Sequence, residues 1–176
     1  KRKGRIKGKS LTFCLITFLI FLYITNSNSE IIKQSNESKD SYITLKVNGN
    51  GNQKILSNSN CGKQYTMPNI IYIDNNLQDG QIQNSYSLNP NNIVKLVWED
   101  NILDCKCMFK DCDSIVEMNF TKFDTSKCND MGNMFQNCKS LTTLNLSVFD
   151  TSSVTEMCDM FWNCSSLTLL DVTKFD

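Results

Sequence analysis

The sequence contains no histidine. That absence removes the commonest general base and metal ligand available at neutral pH. P-loop and dinucleotide fingerprints are missing too, and the glycine cluster "NGNGNQ" (48–53) has no helical pattern after it to receive a phosphate. No C-x2-C pair occurs, so a zinc site drawn from Cys105, Cys107 and Cys112 finds neither the spacing nor the imidazoles it needs. Acidic residues are absent before Glu30, where Lys1, Arg2, Lys3, Arg5, Lys7 and Lys9 crowd the start. The remainder carries 12 basic against 18 acidic side chains and no Lys/Arg stripe, which excludes nucleic acid as a partner. No metal, no cofactor and no catalytic residue is expected: the chain reads as not an enzyme.

Also lacking is an apolar run of the ~20 residues that span a bilayer as a helix. "LTFCLITFLIFLYI" (11–24) has 14 residues, follows the basic start and precedes the small polar "TNSNS". Residues 1–29 therefore read as a secretory signal peptide cleaved near Ser29, with a retained signal anchor as the competing reading. The chain lacks an initiator Met and stops at "TKFD", where preceding units continue into Thr-Ser, so it reads as a fragment. Membrane association is expected only through a retained signal anchor or a missing C-terminal anchor.

What the sequence does have is a repeat. Met108, Met134 and Met160 are each followed by Phe, with Cys112, Cys138 and Cys164 four residues on. The register runs through Ile115/Leu141/Leu167, Met118/Leu144/Leu170 and Phe120/Leu146/Val172 to Phe123/Phe149/Phe175, always in steps of 26 residues. Such a period marks units that bury their apolar faces by stacking on each other. In "SLTTLNLS" the alternation predicts a strand with Leu144 and Leu146 inward and Thr143, Asn145 and Ser147 outward. Ser153 and Glu156 fit a capping box, after which Val154, Met157, Met160, Phe161 and Cys164 fall on one face of a short helix.

The expected fold is thus an α/β solenoid of leucine-rich-repeat-like coils, one short strand plus one short helix each, preceded by a small all-β module. The segments are a signal peptide (1–29), a polar leader (30–41), the β module (42–91), an initial coil (92–107) and the repeats (108–176). Within the module, "YITLKV" and "KILS" flank "NGNGNQ" as a hairpin candidate.

Nine cysteines carry a second message. Cys14 lies in the signal segment, and an even set of eight in an oxidising compartment usually contains disulfides. Cys112, Cys138 and Cys164 share one repeat position and are expected as packed free thiols. Cys61, Cys105, Cys107 and Cys158 are expected to supply any bridges.

"MFQNCKSLTTLNLSVFDTSSVTEM" and "MFWNCSSLTLLDVTKFD" resemble the BspA-like leucine-rich-repeat surface proteins, whose repeat was first catalogued as a mycoplasma domain of unknown function. Phe123, Phe149 and Phe175 depart from the ordinary leucine-rich repeat, which wants Asn or Cys there. The resemblance implies a secreted or cell-surface protein acting as a non-enzymatic interaction or adhesion module, its partner a protein or glycan on another cell or host surface. The alternative is a structural coat or spacer without a specific ligand. The outward strand positions Glu117, Asn119, Thr143, Asn145, Leu169 and Asp171 are the candidate ligand face. Trp162 reads either as an exposed anchor or as packing for a further coil. Of the sequons at Asn36, Asn119, Asn145 and Asn163, Asn36 in the leader is the best glycosylation candidate.

Overall fold

A computed structural model describes residues 40–58, 61–62 and 64–175. The segment read as a signal peptide, nearly all of the leader and Asn36 lie outside the described residues. Nine strands form there: β1 Ser41–Val47, β2 Gly51–Lys54, β3 Ile70–Ile73, β4 Asn76–Leu77, β5 Ser85–Leu88, β6 Ile93–Trp98, β7 Ile115–Lys122, β8 Thr143–Asn145 and β9 Leu169–Asp171. Seven make one mixed sheet in the order β4-β3-β6-β1-β7-β8-β9, while β2 and β5 pair separately. The strict alternation in "SYITLKV" puts Ile43, Leu45 and Val47 in the core and leaves Tyr42, Thr44 and Lys46 half-buried on the other side. This strand sits at the centre, antiparallel to β6 on one side and to β7 on the other. β7, β8 and β9 then run parallel, with Met118 beside Leu144 and Leu144 beside Leu170. The hairpin expected across "NGNGNQ" does not close, because β2 pairs with β5 instead of β1.

The expected α/β solenoid with one helix per coil is overturned. No helix occurs among the described residues, and the strands belong to a continuous mixed sheet. The physical reason lies in where the backbone N–H groups go. Met134, Gln136 and Cys138 donate to carbonyls three residues back, Met131, Asn133 and Phe135, at 3.1 to 3.2 Å. The alternate residues turn away: Asn133 donates to Cys158 O (2.8 Å), Phe135 to Met160 O (3.0 Å) and Asn137 to Trp162 O (2.9 Å). An α-helix needs each N–H for its own carbonyl four residues back. Here every second one serves the unit ahead.

Left-handed residues set that alternation. Cys107 and Asp111, Asn133 and Asn137, and Asp159 and Asn163 all have φ between 53° and 61°, four residues apart in each unit. Asn and Asp enter this region more readily than other side-chain-bearing residues, and a helix cannot continue through it. The capping box is absent for the same reason. Ser153 donates its hydroxyl to Ser126 O (3.1 Å), and the Glu156 carbonyl receives Met131 N–H (2.8 Å).

Stacked units bury columns of like residues. Phe135 lies 5.8 Å from both Phe109 and Phe161, with interplanar angles of 11° and 4°. Phe123, Phe149 and Phe175 form a second column, and Phe120 meets Phe109, Phe135, Phe123 and Phe149 edge-on between the two. Aromatic pairs in these geometries contribute about 0.5–1.5 kcal/mol beyond burial. The thiols of Cys138 and Cys164 donate to Phe109 O (3.1 Å) and Phe135 O (3.0 Å). Cys112, Cys138 and Cys164 are thiols outside any disulfide, the first two buried.

Upstream, Ser57 N–H reaches Met108 O and Thr66 N–H reaches Asp104 O, both at 2.8 Å. These carbonyls correspond to those that accept from the preceding unit elsewhere, so the segment around Ser57 and Thr66 takes the place of a preceding unit. A Cys61–Cys107 disulfide fastens the same contact. Of the other cysteines expected to bridge, Cys105 is a buried thiol and Cys158 an exposed one.

Candidate ligand-binding face

Parallel pairing places the six candidate residues on one side of the sheet. Glu117, Thr143 and Leu169 are register partners across β7, β8 and β9, and Asn145 is the partner of Asp171. Asn119 stands two residues beyond Glu117 and 26 before Asn145. Their neighbours Met118 and Leu144 point the other way and are only 8% and 2% exposed, so the alternation of a strand sets both faces at once. Glu117, Asn119, Thr143, Asn145 and Leu169 are exposed, and Asp171 is half-buried.

Other strands extend this face. In β1, Lys46 is the partner of Glu117 and makes a 3.5 Å ion pair with it, while Thr44 is the partner of Asn119. Thr44 also faces Lys95 of β6, which in turn faces Tyr72 of β3. The Lys95 ammonium lies 4.3 Å from the centroid of the Tyr42 ring and 5.8 Å from that of Tyr72, and Lys122 Nζ lies 5.7 Å from Tyr42. Nothing in the sequence marks these residues as neighbours of the repeat face. The alternation in "YITLKV" shows that Tyr42, Thr44 and Lys46 share a side, but the long-range pairing of β1 with β7 leaves no local signal.

Shallow depressions follow one another across the face. One of about 260 Å³ lies over β1 and β7 between Thr44, Lys46, Asn119 and Thr143. A second, of about 600 Å³, lies between Thr143, Asn145, Leu169 and Asp171, and a third, of about 310 Å³, sits toward the strand ends between Asn119, Thr121 and Asn145. Leu169 is 65% exposed at the β9 end, and Trp162 is 57% exposed in the turns of the third unit.

Three of the six side chains have a structural duty as well. The Asn119, Asn145 and Asp171 side-chain oxygens accept from the backbone N–H two residues on, at Thr121, Ser147 and Thr173 (2.9 to 3.0 Å). The Asx turns of Asn145 and Asp171 stand at the ends of β8 and β9, whereas that of Asn119 lies within β7. The Thr173 backbone N–H, and then its hydroxyl, hold the Asp171 carboxyl below the usual carboxylate value. The amide nitrogens of Asn119 and Asn145 and the hydroxyl of Thr143 are the donors left for a ligand. Among the described residues no group of three or more Cys, Asp or Glu side chains is placed to hold a metal ion. Chemically, this face can hydrogen-bond, stack and pair charges.

A family described as "Mycoplasma protein of unknown function, DUF285" matches residues 81–176. The chain belongs to this family. The matched segment includes β5 to β9, and so the six repeat-borne positions, Lys95 and Lys122, whereas Tyr42, Thr44, Lys46 and Tyr72 lie before it. No curated protein and no solved structure matches the chain.

Proposed function

We propose that the chain is a non-enzymatic interaction module, secreted or displayed on a cell surface, that holds a protein or glycan of another cell on the outer face of β1, β7, β8 and β9. Its likeness to the BspA-like surface proteins supports this reading. The observation that carries it is convergence: Glu117, Asn119, Thr143, Asn145, Leu169 and Asp171 share one face crossed by depressions, and all but the half-buried Asp171 are exposed there. The alternative, a coat or spacer without a ligand, is favoured by the repeated Asx turns, since they give Asn119, Asn145 and Asp171 a role that needs no partner.

Binding of the fluorescently labelled full chain to intact epithelial and microbial cells tests the two. Wild-type binding that falls at least about tenfold in Thr143→Arg, at unchanged thermal stability, supports the ligand face, because an arginine there fills the depressions on both sides. Binding that ignores Thr143→Arg sinks this face as the contact surface. No binding to any cell favours the spacer.

A further inference from the structure

Lys95 and Lys122 are cations within residues 30–176, a stretch with 12 basic and 18 acidic side chains, and neither makes an ion pair with a described residue. Both lie against the ring of Tyr42, and Lys95 is also within reach of Tyr72. Cation–π contact holds an ammonium in place without neutralising it. Two positive charges are thereby fixed beside one ring, where an anion would relieve their mutual repulsion. Thr44 is the register partner of both Lys95 and Asn119, and the depression over Thr44, Asn119 and Thr143 begins there, its two charged lining residues, Lys46 and Glu117, being paired with each other at 3.5 Å.

We propose that Tyr42, Tyr72, Lys95 and Lys122 form the anion-binding end of the face, and that its ligand is a glycan bearing carboxylates. This rests on the reading of the outer sheet face as a ligand surface. Charge complementarity sets the acidic group. The remaining chemistry selects a sugar over a peptide. β1, β6 and β7 are interior strands of the sheet, so their backbone groups are engaged with neighbouring strands and offer a peptide main chain no strand edge to extend. Recognition is left to ammonium groups, tyrosine rings, amides and hydroxyls. Such groups suit the hydroxyls and apolar ring faces of a saccharide chain lying along shallow depressions.

Biolayer interferometry of the full chain against immobilised hyaluronan, polysialic acid and neutral dextran tests this. Binding to at least one acidic polymer, none to dextran, and weakening as salt rises is the expected result. Lys95→Ala and Lys122→Ala should each lower that affinity about tenfold, as removal of a charged hydrogen-bond donor does. Lys139→Ala, which removes a lysine paired with Asp113, should leave it unchanged. Failure to bind either acidic polymer, equal binding to dextran, or equal losses in all three variants overturns the inference. If cells are bound through Thr143 while neither acidic polymer binds, the anionic-glycan assignment alone falls. If Thr143→Arg leaves cell binding intact, the reading of the face falls with it.

Discussion

Asn137 donates its side-chain amide to the Asp111 carboxylate at 2.6 Å, and its own side-chain oxygen accepts from Asn163 at 2.9 Å. The three residues stand 26 apart, all with φ near 60°. Each satisfies a local demand, a left-handed backbone that ends a turn, and a non-local one, a bond to the unit above or below. Alanine meets neither demand. Asn137→Ala should lose about 2 to 3 kcal/mol, about 1 from the backbone conformation and the rest from the severed ladder. Asn137→Gly keeps the conformation and should recover about 1 kcal/mol of that. Urea denaturation of the three proteins measures the order, and equal stability of the alanine and glycine variants would show that the left-handed backbone is not what asparagine supplies.

That ladder also explains what could and could not be read from the chain. The 26-residue register, the inward Leu144 and the outward Thr143 follow from periodicity, because burial on a stacked strand repeats as faithfully as the sequence does. The helix did not follow. Val154, Met157, Met160, Phe161 and Cys164 have the spacing of a helix face, but tight turns that bury one side produce the same spacing. The discriminating mark was the pair of Asn or Asp residues four apart, Asn133 with Asn137 and Asp159 with Asn163, which can take positive φ. For the candidate face, the repeat positions were legible and the cluster of Tyr42, Tyr72, Lys95 and Lys122 was not, because only strand pairing between distant segments creates it.

Leu144 and Thr143 offer a test of the two sheet faces at adjacent residues. Leu144→Asp places a carboxylate at a site only 2% exposed, between Met118 and Leu170 on the neighbouring strands. Several kcal/mol should be lost, enough to unfold the repeat region. Thr143→Asp changes an exposed position and should alter stability by no more than about half a kcal/mol. Thermal melts of both variants decide it, and matching losses would mean that the register of β8 is wrong.

The Cys61–Cys107 disulfide spans 46 residues of sequence and joins the upstream segment to the first repeat unit. Closing a loop of that size removes conformational entropy from the unfolded chain worth about 4 kcal/mol in the chain-entropy treatment. Cys61→Ser should therefore lower the urea midpoint strongly, and a reductant should lower that of the wild type as much while leaving the variant unaffected. A wild-type midpoint indifferent to reductant would mean that the two sulfurs are not joined in the folded protein.

The cysteine column makes a prediction about pH. Burial, with the Cys164 thiol second, pushes Cys138 well above the ordinary thiol value of 9.0, and burial does the same for Cys112. The unfolded chain therefore releases these protons near pH 9 while the folded chain still holds them. Stability is at its full value below that pH and declines as pH rises beyond it. Tyr65, raised by its own burial, adds to the decline in every variant. Cys138→Ser isolates one contribution: a hydroxyl can still donate to Phe109 O, yet it does not titrate in this range. Urea midpoints from pH 7 to about 10.5 should fall less steeply for Cys138→Ser than for the wild type, and parallel curves would show that Cys138 is not a buried neutral thiol. Alkylation gives an independent reading of the same column. Exposed Cys158 should react in the folded protein, whereas Cys112 and Cys138 should react only on unfolding, because the thiolate is the nucleophile and burial denies both its formation and its access. A disulfide joining two members of the column in unreduced peptides would overturn this, since a bridged pair has no protons to hold and the 26-residue spacing would then serve covalent closure instead of packing.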